Sequence, residues 1–218
     1  MSKQNPDGSF ELEVNGTVVT FKDPVPTASQ ILREGGFTPT DEHILIRLQK
    51  GSSNALGLNE PIDLRNGESA KFRAFRSDRV FRLTLDGGGF EWGEGTISES
   101  ELRKLAAVGD DKVLVLERRD EPDRELNYND QVALMDAGTE HIRTIKKLIV
   151  VVIDGVEKQI DRGTYKTEQL LAILGVETGY LLNVLSDDGQ LKTLNSGDHV
   201  SVREGMKFFS QVPCGGSA

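Results

Sequence analysis

Apolar and polar residues alternate along three widely separated stretches, FELEVNGTVVTF from Phe10, VFRLTLDGGGFEW from Val80 and LIVVVIDGVEKQI from Leu148. Alternation places one set of side chains on a buried face and the other in solvent, so each stretch predicts a pair of half-buried strands. Each is interrupted by a turn dipeptide, Asn15-Gly16, Asp86-Gly87 and Asp154-Gly155. A tight hairpin needs positive φ at both central residues, which these dipeptides accept best. The turn glycines are 71 and 68 residues apart, the span of one small domain each time. A fixed period of this size marks a tandem repeat.

A short helix follows every hairpin. In TASQILREGGF, Thr27 caps with Gln30 at the third position and Gly35 ends the helix. In SESELRKLAAVG, Ser98 and Glu101 have capping-box spacing, with Leu102 and Leu105 on one face. In TYKTEQLLAILGV, Thr167 caps, Leu170, Leu171 and Leu174 form the apolar stripe, and Gly175 stops it. Apolar strands come next, HILIRLQ, KVLVLER and YLLNVLS. Each unit closes on a leucine, a polar turn and an alternating strand: LRNGESAKFRAF, LNYNDQVALM and LNSGDHVSVR. The order β-β-α-β-(β)-β, three times over, predicts an α+β chain. One helix crosses one face of each four- or five-stranded sheet, the ubiquitin-like β-grasp arrangement. We place the domains at 1–77, 78–141 and 142–209, with 210–218 as a flexible tail. The first joint, Arg76 to Arg79, is short enough to restrict the angle between units; the second, Asp136 to Lys147, should allow more freedom.

Composition narrows the functional classes. Of 218 residues, 37% are hydrophobic and 28% charged, which suits a folded core rather than a disordered chain. The formal charge is −9, from 26 basic and 35 acidic side chains, and the basic clusters at Arg73 to Arg82 and Lys146-Lys147 form no stripe. Nucleic acid is therefore not an expected partner. The longest apolar run, Leu148 to Ile153, is strand-sized, and the N-terminus is polar, so neither a membrane span nor a signal peptide is expected. Cys214 is the single cysteine, which excludes an internal disulfide and a cysteine-built metal site; the cytoplasm is the expected compartment.

Catalytic constellations are not evident. The chain lacks a P-loop, and the glycine-rich DGGGFEWGEG lies across a hairpin instead of before a helix. His43, His141 and His199 do not pair at metal-ligand spacing, and the two carboxylates of Ser186 to Gly189 lack the remaining ligands of a calcium loop. Cys214 sits among proline and glycines without a scaffold to lower its pKa. No catalytic residue, metal or cofactor is expected. Gly215-Gly216 differs from the internal glycine pairs, because no predicted helix end or hairpin accounts for it.

Three tandem β-grasp units followed by Gly-Gly resemble the bacterial multi-ubiquitin proteins, the modifiers of ubiquitination-like, antiphage conjugation operons. The architecture covers the whole chain; the closest motif resemblance is LKTLNSGDHVSVREGMKFFSQVP, Leu191 to Pro213. The resemblance implies that a processing protease (a deconjugase) cuts between Gly216 and Ser217. An E1-like activating enzyme would then adenylate the Gly216 carboxylate with ATP. An E2-like conjugating enzyme would join it to a target amine. Gly215 and Gly216 form the conjugation terminus, and Phe208, Phe209, Pro213 and Cys214 the segment that partners recognise. Ser217-Ala218 reads either as the removed leader or as residues added in cloning. Neither joint contains Gly-Gly, so the expectation is a fixed three-unit modifier with one reactive end. A tandem scaffold or filament subunit, and a sulfur carrier activated through the same terminus, are the alternatives.

Overall fold

The computed structural model describes residues 8–66 and 71–212. The first repeat contains β1 (Phe10–Val14), β2 (Thr17–Phe21), α1 (Ala28–Glu34), β3 (His43–Gln49), β4 (Ser52–Leu56) and β5 (Lys71–Arg76). The second contains β6 (Phe81–Leu85), β7 (Gly88–Trp92), β8 (Thr96–Ser98), α2 (Glu99–Ala106), β9 (Lys112–Leu116), β10 (Arg124–Leu126), β11 (Gln131–Ala133) and β12 (Thr139–Lys146). The third contains β13 (Leu148–Ile153), β14 (Val156–Asp161), β15 (Gly163–Lys166), α3 (Thr167–Leu174), β16 (Leu181–Leu185), β17 (Leu191–Leu194), β18 (His199–Val202) and β19 (Lys207–Gln211).

Each repeat has the same strand order: β2-β1-β5-β3-β4, β7-β6-β12-β9-β10 and β14-β13-β19-β16-β17. The first strand always pairs in parallel with the last, which becomes the sheet's centre. The hairpin turns adopt the left-handed conformations that their residues predict: Asn15, Asp86 and Asp154 at φ 49°, 48° and 51°, each followed by glycine at 82–84°. Thr27 and Gln30 complete a reciprocal capping box, and the Ser98 hydroxyl accepts from the Glu101 amide. Thr167 does not cap α3. It is the first helical residue, nearly buried, and its hydroxyl donates to the Asn195 carbonyl at 2.7 Å.

The closing strands of the second and third repeats lie further along than the sequence suggests. Gln131–Ala133 and His199–Val202 are short strands paired off the main sheet, with β8 and β15. The central strand of the second repeat is Thr139–Lys146, the segment read as a joint, and it carries buried Ile142 beside β6. The central strand of the third is Lys207–Gln211, whose last two residues fall in the segment expected to be a flexible tail. Both are stabilised by parallel partners more than fifty residues away, a pairing that local pattern does not reveal.

Each repeat packs its helix against one sheet face. Ile31, Leu32, Leu45 and Phe72 centre the first core, Leu83, Leu102 and Leu114 the second, and Val151, Leu170, Leu182 and Phe208 the third. The chain divides into two compact units, one holding the first two repeats apart from Asp110–Val113 and one holding those four residues and the third repeat. No helix among the described residues is long and apolar enough to cross a membrane.

Candidate functional site

Within the first unit, the two repeats share one ten-stranded sheet. Edge strand β4 runs parallel to β7, with Ser53 opposite Phe90. The Ser53 hydroxyl donates to the Glu91 carbonyl at 2.7 Å and accepts from the Glu91 amide at 3.1 Å. The Glu91 carboxylate then takes the Ala55 amide at 2.8 Å, extending the seam by a side chain where backbone pairing stops. Leu45 faces the first core, while its neighbour Ile46 faces the second; both are fully buried. Phe75 follows Ile46 across the seam and meets Trp92 edge-on, ring centroids 4.6 Å apart. Arg73, on β5, pairs at 2.5 Å with Glu101 of α2, and Arg79 pairs with Asp136 at 3.2 Å.

This seam accounts for the glycine-rich DGGGFEWGEG. A Cβ at Gly88 would lie 2.5 Å from the Gly51 carbonyl oxygen, and one at Gly93 would lie 2.5 Å from the Phe75 ring. Both glycines admit the first repeat. The basic cluster from Arg73 to Arg82 is likewise consumed by ion pairs, with Glu101, Glu42, Asp78 and Asp136, and Glu91. His43 and His141 are held locally, their Nδ1 atoms 2.8 Å from the Pro39 carbonyl and the Thr84 hydroxyl. Ser186 to Gly189 forms the turn between β16 and β17, closed by the Gly189 amide on the Ser186 carbonyl.

The third repeat has a different outer face. Sheet register aligns Ile46, Ala55 and Phe75 with Asn183, Thr193 and Gln211. These three form a hydrogen-bonded row: Thr193 donates to Asn183 at 2.7 Å, and Asn183 donates to Gln211 at 3.2 Å. Polar side chains thus stand in the third repeat where the first presents apolar ones to its neighbour. Elsewhere in this repeat, Glu168 at the start of α3 accepts from Ser196 and from the Gly197 amide. The Ser196 hydroxyl, then the backbone amides of Glu168 itself and Gly197, hold its carboxyl below the usual range.

Of the residues expected at the reactive end, Phe208 is fully buried in the central strand, its side chain turned into the third repeat's core. Phe209 is half-buried on the other sheet face. Pro213, Cys214, Gly215, Gly216 and Ser217 lie outside the described residues. The structure thus brings the chain to Val212 at the end of the third repeat's central strand. There, Asp154 in the β13–β14 turn accepts from both the amide and the hydroxyl of Ser210, at 2.8 and 2.6 Å. From the sequence alone, Asp154 is a turn residue only. Its signal lay in the matching Asn15 and Asp86 of the other turns. The two-faced burial of β3 had a signal too, an uninterrupted apolar Ile44-Leu45-Ile46 where a half-buried strand alternates.

Comparison of the chain with curated proteins gives no match. The multiubiquitin family model matches residues 10–75 and 81–147, the first two repeats as folded. With more than half its length matched and the same strand order in all three repeats, the chain belongs to the multiubiquitin family.

Proposed function

We propose that the chain is a ubiquitin-like protein modifier, processed after Gly216 and conjugated through that glycine's carboxylate. The observation that carries this reading is Gly215-Gly216 placed just beyond the central strand of a third β-grasp unit, with no Gly-Gly at either junction between repeats. Glycine lacks a Cβ, so such a peptide can enter a narrow channel and take up backbone angles closed to other residues. An activating enzyme then adenylates the carboxylate with ATP, releasing pyrophosphate. An enzyme thiolate displaces AMP to give a thioester, and a conjugating enzyme passes the acyl group to a target amine. The chain is the substrate of these steps, so none of its own side chains has to act as acid, base or nucleophile.

Family membership and the closing-segment resemblance support placing it in a bacterial conjugation operon with an antiphage role, acting in the cytoplasm. The merged sheet of the first unit supports a modifier transferred whole, since the first two repeats share buried residues and separating them would expose Ile46 and Phe75. The test is incubation with the processing protease, the activating enzyme and ATP, followed by intact-mass analysis. A thioester-linked chain ending at Gly216 is expected. Retention of Ser217-Ala218 in the producing cell, with no thioester formed, overturns the reading.

A further inference from the structure

We propose that Asp154 is a positioning residue for the C-terminal peptide, gripping Ser210 and fixing where the chain leaves the third repeat. This rests on the modifier reading above. Strand β13 accompanies β19 only as far as Ile153 opposite Phe208 and then turns away. The Val152 amide donates to the Met206 carbonyl and the Asp154 amide to the Phe208 carbonyl, so alternate residues of β19 present their backbone groups toward β13. Ser210 is next in that series, and no strand residue remains to receive it. The Asp154 carboxylate takes its amide and its hydroxyl instead. On the other side, β16 holds β19 through Gln211 opposite Leu181. Asp154 therefore makes the last part of the strand two-sided, two residues before Val212.

The other repeats use the same device with matched chemistry. Asp86 accepts from the amide and hydroxyl of Thr144, both at 2.7 Å. Where the partner is Ala74, which has no hydroxyl, the turn residue is Asn15: its side chain accepts from the Ala74 amide at 3.0 Å and donates to the Ala74 carbonyl at 2.9 Å. In those repeats the clamped strand leads into the next repeat. In the third it leads to Gly215-Gly216, so the same grip sets the base from which the reactive carboxylate is presented. Loosening Ser210 frees it and Gln211 from the sheet, roughly 7 Å of extended chain, and lengthens the tether between the fold and the carboxylate.

The test uses the full chain processed to Gly216, with Asp154→Gly, Asp154→Asn and Ser210→Ala. Glycine accepts the positive φ of position 154, so the first variant removes the clamp while keeping the turn. We expect its Ser210 amide to exchange hydrogen about tenfold or more faster than in the wild type, with the melting of the first unit unchanged. We also expect kcat/KM for pyrophosphate exchange by the activating enzyme to fall about tenfold, with the KM for ATP unchanged. Asp154→Asn, which keeps an acceptor for the amide but offers none to the hydroxyl, lies with Ser210→Ala between the wild type and Asp154→Gly in both readouts. Ser210→Ala loses only the hydroxyl bond and gives an intermediate exchange rate, a reading that stands even if Asp154→Gly disturbs the fold. Wild-type exchange in Asp154→Gly and Ser210→Ala overturns the clamp, and faster exchange with wild-type kinetics overturns its role in activation. A wild-type chain that the enzyme does not activate overturns the modifier reading itself, and the positioning role with it.

Discussion

Replacing Phe75 by alanine tests whether the first two repeats fold as one body. Phe75 belongs to the first repeat, yet it is 8% exposed inside the second repeat's core and packs on Trp92, itself 4% exposed, at an interplanar angle of 63°. Truncating a buried phenylalanine removes its transfer free energy and leaves a cavity, together about 3–5 kcal/mol. The edge-on contact with Trp92 contributes ~1 kcal/mol of that sum. For a unit of this size, each kcal/mol moves the midpoint by about 2–4 °C, so a loss of roughly 10 °C is expected. Calorimetry of the full chain should show two transitions, one from the merged first two repeats and one from the third. Phe75→Ala should lower the first and leave the second in place. Three separate transitions in the wild type, or a Phe75→Ala shift below about 3 °C, would refute the shared core.

Two further predictions concern the seam and the third repeat. Gly88→Ala forces a Cβ against the Gly51 carbonyl and should destabilise the first unit by about 1–3 kcal/mol. Gly89→Ala, which meets open space, should cost less than about 1 kcal/mol; equal denaturation midpoints for the two variants would contradict the close approach. Because the folded-state pKa of Glu168 is lowered, its stabilising contribution is complete above its ordinary value of 4.5 and is lost as pH falls through the lower folded value. The melting midpoints of the wild type and Glu168→Gln should therefore differ at pH 7 and converge as the pH falls below the ordinary value of 4.5 and through the lowered folded value. A constant offset across that range would mean the carboxylate's charge is not what matters.

Local physics makes much of this protein legible from its sequence. Asn15-Gly16, Asp86-Gly87 and Asp154-Gly155 specify hairpins because few other dipeptides tolerate positive φ twice. Thr27 with Gln30, and Ser98 with Glu101, specify helix starts because their side chains satisfy amides that the first turn leaves unpaired. Repetition of those signals yields the three β-grasp repeats. What tertiary structure decided is everything that depends on a distant partner. Thr139–Lys146 reads as a joint, and Ser210 and Gln211 as the start of a tail, until β6 and β13 pair with the strands that hold them. Gly88 and Gly93 read only as part of a glycine-rich hairpin until another repeat's backbone and ring come against them. Asp154 reads as a turn residue until the strand that leads to Gly215-Gly216 arrives beside it. Backbone torsions and caps are set by neighbours within a few residues, whereas parallel pairing and docking depend on groups that only the folded chain brings together.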